Sequence, residues 1–256
     1  MIESPPQYGR PALIVRKDGS VSVDPAPKVR LSVNGCPLGP LNEHVCFPAP
    51  KSRGKTVLTI AGGHIAKVSS GSRVPVPTSG FTAVLPDASV SAAPGDPVSM
   101  SGMEDVLFGV QVGPAAVTGG RPVSGVPEPF WHIKRIPSNL LARRAPYPPA
   151  LYPYDPEKDR APRMVLGADG EGRPMLLWFE GAAKHGHVPG EDSCGASLKE
   201  AAEICVALGM TEGVHLDGGG SAQILLDGRR SLFISDRDRA DHTEAERAVP
   251  TGLCVE

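Results

Sequence analysis

The residues best suited to chemistry are Asp217-Gly218-Gly219-Gly220-Ser221, at the end of the short apolar run Val214-His215-Leu216. Three consecutive glycines cost backbone entropy and need a reason. One reason is a tight turn with positive φ. Another is close approach of a ligand to bare backbone N–H groups, which in succession form an anion-binding nest. A carboxylate precedes the glycines and a hydroxyl follows them, so the stretch reads as a site; the alternative is a hairpin with a flexible tip. Ser221 reads as a hydrogen-bond donor to a ligand. No Gly-x-Ser-x-Gly elbow surrounds it, which rejects a serine hydrolase. His215 alternates with Val214 and Leu216, so it points either toward Asp217 or into the core as a satisfied histidine. His185-Gly186-His187 has the spacing of two same-side ligands, with Asp192 nearby. A loop touching substrate is preferred there over a metal site.

The elements that would position these groups are mostly strands. Ala12–Val15, a Lys17-Asp18-Gly19-Ser20 turn and Val21–Val23 read as a hairpin. Further strands are expected at Val29–Val33 before Asn34-Gly35, at Thr56–Ile60, Ile65–Val68, Phe81–Leu85 and Val106–Val112, and at Met164–Gly167 before the turn Asp169–Gly172. Met175–Phe179 is almost continuously apolar, which suits a strand buried on both faces. Ser197, with Glu200 three residues on, is a capping box that opens a helix. Ala201, Ile204, Cys205 and Leu208 form its apolar stripe, and Gly209 is its stop. Strands are also expected at Ile224–Leu226, before Asp227-Gly228, and at Val249–Val255. Between about Val123 and Pro162 no period holds, and the Pro-, Arg- and Tyr-rich stretch reads as a long surface excursion or lid. The expected fold class is α+β: a β-rich mixed-sheet domain with a few helices and long Pro/Gly-rich loops, taken as a single domain over 1–256.

Composition narrows the function classes. Gly (30) and Pro (28) break long helices, which favours short strands and loops. The formal net charge of −2, with only short basic clusters at Arg143-Arg144 and Arg229-Arg230, gives no concentrated basic face for nucleic acid or a membrane surface. No stretch reaches the apolar length of a membrane span, and Met1–Pro6 carries no secretory signal. Of the five cysteines, Cys205 reads as a small buried hydrophobe, and Cys36 and Cys46 could close a loop in an oxidising compartment. No Cys/His group has zinc spacing, so no metal and no cofactor is expected.

From Ala161 to Val255 the chain resembles the phosphodiester glycosidase family. The matching blocks come in order: Ala161-Pro162-Arg163; the Asp169–Arg173 turn; Phe179-Glu180-Gly181; the capped helix ending Ala207-Leu208-Gly209; an intact Leu216–Ser221; and Arg247-Ala248-Val249-Pro250. Thr56–Leu85 and Gly109–Pro114 match more loosely. Glu180 stands where relatives often have Asp, Ala182 where they often have Arg, and His215 where Asn is common. No Asn-Gly-Gly-Phe-Phe-like block is found, so the chain is expected to lack the family's first strands. The resemblance implies cleavage of a sugar from a phosphodiester at its anomeric carbon, with a glycan or sugar-phosphate as partner and a secreted or envelope setting. It assigns Asp217 and Glu180 as the carboxylate pair, and Arg163, then Arg247, as the phosphate-binding forks. Gly218, Gly219, Gly220 and Ser221 would share the anion, and His215 and His185 would contact substrate. Two other readings stay open: a sugar-phosphate-binding module without turnover, and a scaffold whose Pro-rich segment near Tyr147–Tyr154 docks partners.

Overall fold

The computed structural model describes residues 6, 11–39, 41–42, 55–70, 74–77, 80–87, 89–123, 160–182, 188, 190–231, 234–236, 245, 248–249 and 252–253. In chain order the strands are β1 (Pro11–Arg16), β2 (Val21–Pro25), β3 (Arg30–Val33), β4 (Cys36–Pro37), β5 (Leu41–Asn42), β6 (Thr56–Ala61), β7 (His64–Ser70), β8 (Phe81–Leu85), β9 (Val98–Ser101), β10 (Val106–Val110), β11 (Ala115–Thr118), β12 (Arg121–Pro122), β13 (Arg163–Asp169) and β14 (Pro174–Phe179). Helix α1 (Leu198–Ala207) follows, then β15 (Met210–His215), β16 (Leu225–Leu226) and β17 (Arg229–Arg230). The fold is β-rich, with antiparallel sheets and one α-helix among the described residues.

The chain divides into two compact units. One contains residues 27–104 together with the chain ends, and it carries the sheets β5-β8-β6-β7 and β4-β3-β9. Its core is Leu31, Val33, Leu58, Ile60, Ile65, Phe81, Ala83, Leu85 and Val98, drawn from both sheets. The Asn34-Gly35 turn takes positive φ at both positions, the conformation that lets a two-residue hairpin follow strand twist.

The other unit contains residues 7–26 and 105–248, and it carries every described candidate site residue. Its main sheet runs β12-β11-β15-β13-β14, and β10-β1-β2 forms a second sheet. Side chains alternate across the main sheet. On one face Val165, Leu177 and Phe179 pack with Ala201, Ala202 and Cys205 of α1. On the other, Leu166, Val214 and Leu216 pack with Leu13 and Val23 of the β1-β2 hairpin. Glu212 joins that hairpin to the main sheet, accepting Val23 N–H at 2.7 Å and Gly119 N–H at 2.8 Å.

Three expectations change. β14 is an edge strand, with Leu176 48% exposed, so it is not buried on both faces. The buried stripe of α1 is Ala201, Ala202 and Cys205, while Ile204 and Leu208 are exposed, because the helix lays its smallest side chains on the sheet. Val249 and Leu253 lie outside any strand. Cys36, Cys194 and Cys205 are free thiols, and burial pushes the Cys205 thiol up to about 12. Cys46 and most of the expected lid lie outside the described residues. Among the described residues no helix is long and apolar enough to cross a membrane.

The capping box is formed in both directions: Glu200 N–H donates to Ser197 Oγ at 3.1 Å, and Ser197 N–H donates to Glu200 Oε2 at 2.9 Å. Ser197→Ala should cost about 1 kcal/mol, read as a lower midpoint in urea denaturation with an unchanged m-value.

Candidate functional site

Strand register places the site. Arg163 pairs with Phe179 across β13-β14, and Val165 pairs with His215 across β13-β15. Leu216 N–H donates to Met164 O at 2.8 Å, so the β13-β15 register continues past His215. One further step sets Asp217 across from Arg163, and one step past Phe179 sets Glu180 across from Pro162. Three neighbouring strand ends therefore bring Glu180, Arg163 and Asp217 to one edge of the sheet. Glu180 and Asp217 are both exposed, and neither side chain has a hydrogen-bond or ion-pair partner among the described residues. Arg163 is half-buried, and its Nε donates to Ala196 O at 3.0 Å.

This edge is held by close approach of bare backbone. A Cβ at Gly218 would collide with the carbonyl oxygen of Pro162. On the opposite side of that segment, a Cβ at Gly181 would lie 2.9 Å from Gly195 N and 3.1 Å from Pro162 N. Gly195 has φ +76°, and a Cβ there would lie 2.8 Å from Pro162 N. The Ala161–Ala196 bridge, with N–H donors on both sides at 3.0–3.1 Å, completes the clamp.

The glycine bend is a 3-10 turn over Gly219–Ser221. Gly219 takes φ +59°, as a glycine can without strain. Gly219 N–H donates to Pro162 O, and Ser221 N–H donates to Gly218 O, both at 3.3 Å, so these two donors are engaged within the protein. Gly220 is buried, and its oxygen accepts from Gln223 Nε2 at 3.0 Å. Ser221 is half-buried at the end of the turn.

His215 is 3% exposed, its Nδ1 has no partner among the described residues, and Arg163 bears on it electrostatically. Burial first, and the Arg163 charge second, push its pKa down to about 3, so the ring is neutral at any ordinary pH. It is thus a core histidine beneath Asp217, not a surface contact and not a fully satisfied one. A groove of about 490 Å³ is lined by Glu180, Ser193, Gly195, Arg160 and Phe179 together with Glu200, Glu203 and Ile204 of α1. Arg160 pairs with Glu200 on its wall. Arg163, Asp217 and the glycine turn do not line it. His185 and Arg247 lie outside the described residues, as does His187. Asp192 accepts Val188 N–H at 2.9 Å.

Sequence reasoning missed Asp236. Its carboxylate lies against Gly220, where a Cβ would come 2.6 Å from Oδ1. The only signal was indirect: a third glycine implies something seated against it.

A family model described as phosphodiester glycosidase matches residues 47–256. The N-acetylglucosamine-1-phosphodiester alpha-N-acetylglucosaminidase of Bos taurus is 32% identical over 94 residues, 36% of this chain and 16% of that one. The Homo sapiens protein of the same name is 29% identical over 93 residues, with the same shares. The chain thus spans about a sixth of the length of these curated relatives. Among solved structures, a hypothetical protein from Synechocystis aligns at a TM-score of 0.47 and 17% identity, covering 95% of this chain and 45% of that one. The zebrafish catalytic domain of that name, described as auto-inhibited by its pro-peptide, aligns at 0.37 and 14% identity, covering 93% and 79%.

The buried neutral His215 should make the fold acid-labile. Unfolding returns the ring to a pKa near 6.5, so the unfolded state gains a proton below that pH while the folded state refuses it until about 3. This group's contribution is fully present above pH 6.5 and falls by up to about 1.4 kcal/mol per pH unit between 6.5 and 3. His215→Asn should flatten that part of the stability curve, measured by urea denaturation from pH 7 to 4.

Proposed function

The chain belongs to the phosphodiester glycosidase family, and from that membership we propose that it hydrolyses a sugar-1-phosphodiester at the anomeric carbon, with Asp217 and Glu180 as its working carboxylates and Arg163 holding the phosphate. The observation that carries this reading is the register of β14, β13 and β15, which sets these three residues at adjacent strand ends. The partner is a glycan or surface-polymer linkage of the kind named in the curated relatives, N-acetylglucosamine-1-phosphodiester.

The chemistry fits the residue types. A phosphate monoester is a good leaving group and needs little protonation, so the site must hold its charge and steady a cationic sugar. The arginine fork matches phosphate oxygens, and Asp217, directly across from Arg163 in the register, shares its face of the sheet, which keeps the anion near the bond that breaks. In the proposed step Asp217 takes a proton from water, whose oxygen bonds to the anomeric carbon. The carbon–oxygen bond to phosphate breaks, and the phosphate monoester leaves with the electron pair. Glu180 holds sugar hydroxyls and offsets the positive charge on the ring.

The route of the water selects the stereochemistry: Asp217 delivering it directly to the anomeric carbon, with no covalent intermediate, inverts that centre.

The substrate for testing is the methyl phosphodiester of N-acetylglucosamine 1-phosphate. Asp217→Asn should lower kcat by roughly 10²–10⁴-fold with little change in Tm, since the side chain is exposed. Equal rates in wild type and variant would remove the catalytic assignment. Binding without turnover in both would leave a sugar-phosphate-binding module. Proton NMR of the first-formed sugar should show the β anomer from an α substrate; the α anomer would require a covalent intermediate in place of direct attack by water.

A further inference from the structure

Gly220 is buried in the turn, and the whole carboxylate of Asp236 occupies the space where its side chain would stand. The two residues before Asp236 are buried. Ile234 and Ser235 are each 1% exposed, and Ser235 Oγ lies 4.0 Å from where a Cβ on Gly219 would be. Ser235 Oγ also lies 3.5 Å from Asp236 Oδ1. The Asp236 backbone oxygen accepts Ala245 N–H at 3.0 Å, which anchors the segment from behind. Asp236 itself remains only half-buried.

A carboxylate held in this position changes what the glycine bend can bind. Two of its donors already serve Pro162 and Gly218. Carboxylate oxygens only accept, so they offer an incoming phosphate no donor at that spot. The same oxygens are strong acceptors for sugar hydroxyls, and such bonds tighten as the ring becomes cationic. Asp217 begins the turn and Asp236 packs on its third glycine, so the turn carries one carboxylate before it and one against it.

We propose that the third glycine exists to seat Asp236, and that Asp236 is a sugar-binding carboxylate, which leaves the phosphate to the Arg163 side of the turn. The proposal rests on the glycosidase reading for its sugar, and the test separates the two.

Three forms of the full chain are compared: wild type, Asp236→Asn and Gly220→Ala. Each is titrated with N-acetylglucosamine and with inorganic phosphate, and assayed on the methyl phosphodiester beside Asp217→Asn. Asp236→Asn keeps the shape and should keep Tm. Sugar affinity should fall at least about tenfold and kcat/KM about thirtyfold, as expected for a lost hydrogen bond to a charged group. Phosphate affinity should stay within twofold. Gly220→Ala should lose sugar affinity likewise, with Asp236 intact. If Asp236→Asn fails to fold, Gly220→Ala decides the matter alone.

Retained sugar affinity and kcat/KM in Asp236→Asn, with Asp217→Asn inactive, would overturn this proposal and leave the glycosidase reading standing. Phosphate binding that tightens tenfold or more would also overturn it, by placing Asp236 beside the anion. If the wild type releases no sugar, the glycosidase reading fails. The sugar titration then decides: affinity lost in Asp236→Asn supports the proposal, and affinity retained, or absent from the wild type, overturns it.

Discussion

The site depends on backbone lying directly against backbone at the entry to β13. Pro162 is gripped between Gly218 on one side and Gly181 with Gly195 on the other, at distances that leave no room for a Cβ. Close packing of this kind transmits small changes in volume, because protein interiors have few voids to absorb them. The grip aligns three strand ends, and so decides where Glu180, Arg163 and Asp217 begin. The glycines outside the triple run are thus as much a part of the site as the triple run itself.

Electrostatics follow from that alignment. Arg163 leans on the α1 side of the sheet, held by Ala196 O, and its charge reinforces what burial does to His215. A neutral ring under a permanent cation is a consistent pair: the histidine adds no second positive charge to compete with the arginine for an anion. The carboxylates stand at the exposed rim, where water can reach them. Gly220 and Asp236 add a second built contact on the same turn.

Features written in residue type at fixed spacing were legible in the sequence. The capping box at Ser197 and Glu200 and the turns at Asn34-Gly35 and Asp227-Gly228 formed as read, because each rests on local chemistry. Features set by neighbours in space were not. Strand β11, Ala-Ala-Val-Thr, has little alternation and is ordered by β15 beside it. The α1 stripe rotated toward Ala202 because a small residue lets helix and sheet approach, which leaves Ile204 to line the groove. β14 looked doubly buried because an apolar run carries no sign of being an edge. At the site, the Asp217 turn was visible as a motif. Asp236 was not, since it lies beyond the exposed β16-β17 hairpin in a segment without spacing of its own. The clamp at Gly181 and Gly195 needed the fold to bring distant glycines together.

The most direct measurement is a crystal structure of the chain with N-acetylglucosamine 1-phosphate bound. The predicted result is phosphate oxygens on the Arg163 guanidinium and the sugar ring between the Glu180 and Asp217 carboxylates, at the shared end of β14, β13 and β15. A ligand bound away from that edge, in a protein that still cleaves the phosphodiester, would contradict the assignment.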